Sequence, residues 1–282
     1  MHRKGILYGA ALSIMLLFSL SAHAVNQTVG DNNMNRTEIC KRNFRTLFKG
    51  EALTNTGTDP EMMQILQKYI FGEIFTIGEL DMKTREMLTV ISLSTQQTLP
   101  QLKAHAQAAL NVGVTPLELR EVVYQCAPFI GFPKTLNALN TINEVFAENG
   151  IKLPLENQTQ VTEENRHEKG LTLQQPLYGT EIKDALRGLP ENMGEEAARL
   201  LTEVYFGDFC TRGVLDMKTR ELLTIGILVT AGNWDTLSSH IKGSLKAGNK
   251  PEEIAAAIIQ CMPYVGFPNG LKALKILKAE ME

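Results

Sequence analysis

Apolar residues recur at helical spacing along most of the chain, and no sustained run alternates apolar with polar, so the pattern predicts an all-α fold. A first helix is expected near Arg36 to Lys49. A second, near Pro60 to Phe71, has Asp59 as N-cap and Pro60 at its first position. The third, near Asp81 to Thr95, carries Met87, Leu88, Val90, Ile91 and Leu93 around most of its surface, which predicts a central helix capped by Asp81. A fourth runs from Pro100 to Gly113 with Leu102, Ala106, Ala109 and Leu110 on one face. Thr115-Pro116-Leu117-Glu118 is a capping box opening a fifth helix through Val122, Val123 and Cys126, its end disturbed by Pro128. Gly131-Phe132-Pro133 makes a turn into a sixth, near Lys134 to Glu148.

The polar stretch 151–165 lacks apolar periodicity and reads as a linker. Beyond it the plan repeats, with helices expected near Asn192 to Phe206, Asp216 to Thr230, Asp235 to Ala247, Pro251 to Pro263 and Asn269 to Glu282. The hexapeptide Asp-Met-Lys-Thr-Arg-Glu stands at both Asp81 to Glu86 and Asp216 to Glu221. Around it, residues 71–146 align without gaps on 206–281, with roughly 30 of about 76 positions identical, so the chain is a tandem duplication. The two domains are expected at 36–150 and 166–282.

Composition changes this picture at the ends. His2, Arg3 and Lys4, an apolar run from Gly5 to Leu20, and Ala22-His23-Ala24 read as a signal peptide over residues 1–24, cleaved after Ala24. An exported, periplasmic protein with no stable membrane anchor is therefore expected. Val25 follows the cleavage point, so the N-terminal cysteine of a lipoprotein is missing, and the polar stretch from Val25 to Asn35 reads as a disordered lead-in. The net charge of −3, with no basic cluster among aromatics and only 6% aromatic residues, argues against nucleic-acid binding. Cys40, Cys126, Cys210 and Cys261 are widely spaced with no CxxC pair, which argues against a disulfide scaffold. Cys126 and Cys261 are repeat-equivalent and lie in apolar runs, as buried small hydrophobes do. A Cys40 to Cys210 bond is neither assigned nor excluded by spacing.

The polar residues kept in both copies are the candidates for chemistry. Glu86 shares a helix face with Val90 and Leu93, and His105 shares one with Leu102 and Ala109, so antiparallel packing would bring carboxylate and imidazole together. Glu221 and His240 repeat the pair. A carboxylate that orients an imidazole prepares a general acid or base, and the same pair also serves as a buried structural contact. Arg85 and Arg220 adjoin the glutamates and could clamp a substrate carboxylate or close a structural ion pair. Lys83 and Lys218 read as solvated. No metal cluster is expected.

The run Thr84-Arg85-Glu86-Met87-Leu88-Thr89, then His105, then Asn111-Val112-Gly113-Val114-Thr115, then Gln125-Cys126-Ala127-Pro128-Phe129-Ile130-Gly131-Phe132-Pro133, resembles the carboxymuconolactone decarboxylase family. The second copy is similar through Thr219 to Thr224, His240, Gly248 and Gln260 to Pro268. The resemblance implies all-helical domains that assemble in rings of six, so a fused pair would form a homo-trimer. It implies cofactor-free decarboxylation of a small carboxylated lactone; on the reading of the residues above, His105 and His240 would then move protons, Glu86 and Glu221 orient them, and Arg85 and Arg220 hold the anionic substrate. Another branch resembles alkylhydroperoxidase D, whose thiol pair falls on Thr98 and Gln101 and on Asn233 and Thr236 here. Without those thiols the dithiol cycle has no nucleophile. A redox enzyme using Cys126 or Cys261 alone, and a non-catalytic ligand-binding module, are the alternatives. Family members often carry His where this chain has Gln125 and Gln260.

Overall fold

A computed structural model describes residues 35–282. The expected signal segment, its cleavage point and the lead-in up to Met34 lie outside the described residues. Asn35 is not lead-in: it is the N-cap of the first helix and closes a capping box with Glu38. Among the described residues there is no strand, and no helix is long and apolar enough to cross a membrane.

The first repeat comprises α1 (Arg36–Phe48), α2 (Pro60–Gly72), α3 (Met82–Gln96), α4 (Leu99–Asn111), α5 (Pro116–Ile130) and α6 (Phe132–Glu148). The second begins with α7 (Arg166–Tyr178) and a short α8 (Glu181–Ala185). It continues with α9 (Met193–Leu200), α10 (Met217–Ala231), α11 (Trp234–Lys246), α12 (Pro251–Val265) and α13 (Phe267–Met281). Asp81 and Asp216 cap α3 and α10 by accepting from the backbone N–H of Thr84 and Thr219 at 2.7 and 2.8 Å. Thr115 and Glu118 form the expected capping box. Asp59 does not cap α2; its carboxylate accepts instead from the Thr58 hydroxyl at 2.7 Å. Helix α5 runs through Pro128 to Ile130, and Gly131, at a φ of 83° that favours glycine, makes the turn alone.

The second repeat departs more. The helix expected near Asn192 to Phe206 becomes α9 followed directly by a π-helix, Leu201–Cys210. Helix α7 was not predicted, because its sequence is polar and weakly periodic; close backbone contact holds it instead. A Cβ on Gly170 would lie 2.2 Å from the Thr202 carbonyl oxygen, and one on Gly207 would lie 2.6 Å from that of Arg166. In the first repeat a Cβ on Gly72 would lie 2.3 Å from the Arg36 carbonyl oxygen. Arg36 pairs with Glu73 at 2.9 Å, and Arg166 with Asp208 at 3.3 Å. These matched contacts make α7 the counterpart of α1 and place Tyr178 where the first repeat has Phe48.

Both repeats share one core. Leu88, Ile91, Cys126, Leu223, Ile225 and Cys261 belong to a single buried cluster, with α3 packed on α10 at its centre. Along this seam Arg85 donates from Nη1 to Oε1 of Gln260 at 3.1 Å, and Arg220 donates from Nη1 to Oε1 of Gln125 at 2.8 Å. The exchange is reciprocal, as at a two-fold dimer interface made within one chain. Arg85 spends its other N–H groups on the carbonyls of Ile74, Ile77, Gly78 and Leu80. Burial lowers its pKa to about 10, which still leaves it cationic at neutral pH. Lys83 and Lys218, read as solvated, instead pair with Glu118 and Glu253 at 2.6 and 2.9 Å.

Arg85→Ala would strand the buried Ile74 carbonyl and the buried Gln260 amide and release the part-buried bonds to Ile77, Gly78 and Leu80, a loss of about 3 kcal/mol by the cost of unpaired buried polar groups. Denaturant unfolding should show that loss; a change within about 0.5 kcal/mol, the scale of an ordinary surface substitution, would contradict the seam's role.

Candidate functional site

Helices α3 and α4 pack so that Nδ1 of His105 lies 2.8 Å from Oε2 of Glu86. In the second repeat, Nδ1 of His240 on α11 lies 3.1 Å from Oε2 of Glu221 on α10. Both glutamates are wholly buried, and each histidine retains 9% exposure. The four expected catalytic residues therefore meet as two carboxylate–imidazole pairs. The second oxygen of each carboxylate, Oε1, is buried with no hydrogen-bond partner among the described residues.

Charge decides the tautomer. An ionised Glu86 accepts, so Nδ1 of His105 carries the proton, and Nε2 is left with a lone pair. In the second repeat the Tyr178 hydroxyl donates to Oε2 of Glu221 at 2.6 Å and lies 2.8 Å from Nδ1 of His240. Because its one proton goes to Glu221, the imidazole must donate from Nδ1 toward that oxygen pair. Nε2 of His240, with no protein hydrogen-bond partner among the described residues, is then the nitrogen available for chemistry.

Beside His240 lies a cavity of about 500 Å³. Phe206, Leu201, Leu228, Ile182 and Pro128 give it apolar walls, Asn233, Thr236 and Ser239 bring neutral polar groups, and Glu181 and Asp235 bring carboxylates to its lining. Asn233 and Thr236 are the positions at which the dithiol branch would carry its cysteines. Tyr205 and Phe206 reach the cavity from the π-helix. Phe129 enters from the other repeat, its ring 5.6 Å from the imidazole of His240. Its repeat partner Tyr264 stands 6.3 Å from His105, with its hydroxyl 3.2 Å from that of Thr89. Each pair is thus completed by an aromatic side chain from the opposite repeat.

Gln125 and Gln260 connect seam and site. Gln125 accepts from Arg220 and donates to the hydroxyls of Thr224 and Tyr205 at 3.0 and 3.2 Å. Arg85 and Arg220 do not line the cavity, and Arg85 has all five N–H groups on protein acceptors. Expected to clamp a substrate carboxylate, the two guanidiniums instead bond across the seam between the repeats. No Lys or Arg lines the described cavity.

All four cysteines are free and buried. Burial pushes the Cys126 thiol far up and that of Cys261 to about 11, the latter eased slightly by the Ser92 hydroxyl. Cys40 packs with Phe71 and Phe75, whereas Cys210 packs with Tyr205 and Phe206 in a separate cluster, so the two are not paired.

Tyr178 and Phe129 were missed from the sequence. Tyr178 lies on the unpredicted helix, outside the gapless alignment, and Phe129 was visible only as part of a motif. The signal for Tyr178 would have been the pairing of α1 with α7, which needs the structure; that for Phe129 was its alignment with Tyr264.

The family model for the carboxymuconolactone decarboxylase family matches residues 60–144 and again 195–279. A 4-carboxymuconolactone decarboxylase of Acinetobacter baylyi is 29% identical over 113 residues, 38% of this chain and 84% of that protein. A nitrosuccinic acid decarboxylase of Metarhizium robertsii is 30% identical over 110 residues, 38% of this chain and 75% of that protein. In fold, a Burkholderia xenovorans LB400 chain assigned as a gamma-carboxymuconolactone decarboxylase subunit superposes with a TM-score of 0.51 at 20% identity, covering 88% of this chain and 98% of that one. With two matches that together span more than half its length, this chain is a tandem member of the carboxymuconolactone decarboxylase family.

Proposed function

We propose that the chain is a carboxy-lyase that acts without a cofactor on a small carboxylated lactone or related carbonyl acid, with His240 as its proton-transferring group. The observation that carries this function is the placement of His240 on the cavity with its Nδ1 held by a buried carboxylate. Decarboxylation breaks the bond between the substrate carbon and its carboxylate. The electron pair passes toward the substrate carbonyl, and CO2 departs. A proton from Nε2 of the imidazolium then reaches the carbon, and the imidazole regains one from water. Apolar walls favour this step, since the carboxylate charge is concentrated before CO2 leaves and dispersed afterwards. Asn233 and Thr236 are the neutral groups suited to the carbonyl as it gains charge.

The two related decarboxylases support the reaction class, and their different printed substrates leave the substrate of this chain to experiment. A lone-cysteine redox cycle finds less support, because a reactive thiol needs thiolate character and access. A purely structural pair would need no adjoining cavity.

On the purified protein, His240→Ala should lower kcat for such a substrate by about 10²- to 10⁴-fold, the range for loss of a general acid or base. Turnover equal to wild type would remove His240 from the reaction. Thiol labelling at neutral pH should leave Cys126 and Cys261 unmodified until the protein is unfolded; rapid labelling of either in the folded protein would restore the redox alternative.

A further inference from the structure

The two buried pairs are not copies of one another, and the difference is a hydroxyl with a space made for it. Where the first repeat places Phe48, its ring centroid 5.4 Å from that of His105, the second places Tyr178 at 5.3 Å from His240. Opposite this ring the first repeat has Ala108, wholly buried. The second has Gly243 at the matching position of α11, and a Cβ there would lie 2.2 Å from the Tyr178 hydroxyl oxygen and 2.5 Å from the ring carbon bearing it. Glycine within a helix costs about 1 kcal/mol relative to alanine, so the absence of a Cβ is a local loss that admission of the phenol offsets.

We infer that Tyr178, seated against Gly243, is a positioning residue that bridges Glu221 and His240 and makes the second site chemically distinct from the first. This inference rests on the proposed acid–base role of His240. The phenol donates to Oε2 of Glu221 at 2.6 Å, and its oxygen lies 2.8 Å from Nδ1 of His240, nearer than that carboxylate oxygen at 3.1 Å. In the first repeat the imidazole has Oε2 of Glu86 without such a competitor, at 2.8 Å. A neutral phenol oxygen thus takes part of the Nδ1–H that Glu221 would otherwise hold alone, so removing the hydroxyl leaves the imidazole to the carboxylate. Tyr178 itself stays neutral, since burial and then Glu221 push its ionisation well above the usual phenol range.

Other groups around His240 do not supply this effect. The π-helix brings Tyr205 and Cys210, both kept neutral by burial. Glu181 of α8 accepts from the Ser239 hydroxyl, and Asp235 stands at the start of α11. Glu280 of α13 is held by Lys242 and Ser238, Glu253 of α12 by Lys218, and Lys246 donates to the Leu177 carbonyl. Phe129 from α5 carries no charge. Among the described residues, only Glu221 and Tyr178 offer polar atoms within hydrogen-bond distance of the imidazole.

Histidine side-chain NMR titrations of the intact chain test this, comparing wild type with Tyr178→Phe, Gly243→Ala and the double variant that restores the Phe and Ala of the first repeat. Tyr178→Phe should tighten proton binding at His240 by about threefold or more, with His105 unmoved as internal reference. Gly243→Ala keeps the phenol but displaces it and should move His240 the same way. The double variant should regain thermal stability over Gly243→Ala while keeping the tighter proton binding, a combination that packing alone would not produce. The alkaline limb of the kcat/KM profile should move to higher pH with the titration, since the imidazolium is the proton donor. An unmoved His240 midpoint in folded Tyr178→Phe overturns the inference. Shifted midpoints in a wild-type protein that turns over no carboxylated substrate would leave Tyr178 as a positioning residue and remove the lyase function instead.

Discussion

A carboxylate wholly removed from water sets the terms for this fold. Glu221, like Glu86, gives one oxygen to an imidazole and leaves the other buried without a protein hydrogen-bond partner. Burying such a charge is costly unless something nearby answers it. Here the answer is a histidine that itself reaches the edge of a cavity, so the interaction that makes the carboxylate tolerable also aims the imidazole. The rest of the site follows from the need to hold α10 and α11 in that register. Aromatic rings pack around the imidazole, and the threonine and glutamine hydroxyl and amide groups behind it lead to the seam.

The seam explains why the duplication is one body. Arg85 and Arg220 cross to Gln260 and Gln125, and the same glutamines bond to Thr89 and Thr224 near the two pairs. A change at the interface of the repeats therefore reaches both sites through one side chain. Symmetry has since drifted. Glu121 makes a two-pronged ion pair with Arg212 on one side of the seam, while the matching place on the other side has Ala256 packed against Gly78. The longer segment 179–192 of the second repeat, against 49–59 in the first, puts Ile182 and Ala185 on the cavity wall.

Much of this was legible in the sequence, for reasons that are local. Asp81 before Met-Lys-Thr and Thr115 three residues before Glu118 specify helix starts whatever surrounds them. Glu86 and His105 could be brought together because helical spacing placed each on a core-facing side, and their helices are joined by a short turn. The arginines were ambiguous for the opposite reason. Their glutamine partners lie in the other repeat, and a guanidinium beside a candidate acid looks the same whether it meets substrate or backbone carbonyls. Helix α7 escaped because Gly170 and Gly207 hold it by close backbone approach, which leaves no apolar stripe to read. With it went Tyr178, whose offset from Phe48 differs from the offset that aligns the rest of the repeats.

The central claim is that a buried carboxylate fixes each imidazole with its proton on Nδ1 and leaves Nε2 free, at His240 toward the cavity. Nitrogen-15 spectra of the histidine side chains in the intact protein, taken above the titration midpoints, report the tautomer directly. The account predicts protonated Nδ1 and unprotonated Nε2 at both His105 and His240. Protonated Nε2 at His240 in the neutral ring would contradict it, since Nδ1 would then have no proton to give and the carboxylate would no longer be what orients the ring.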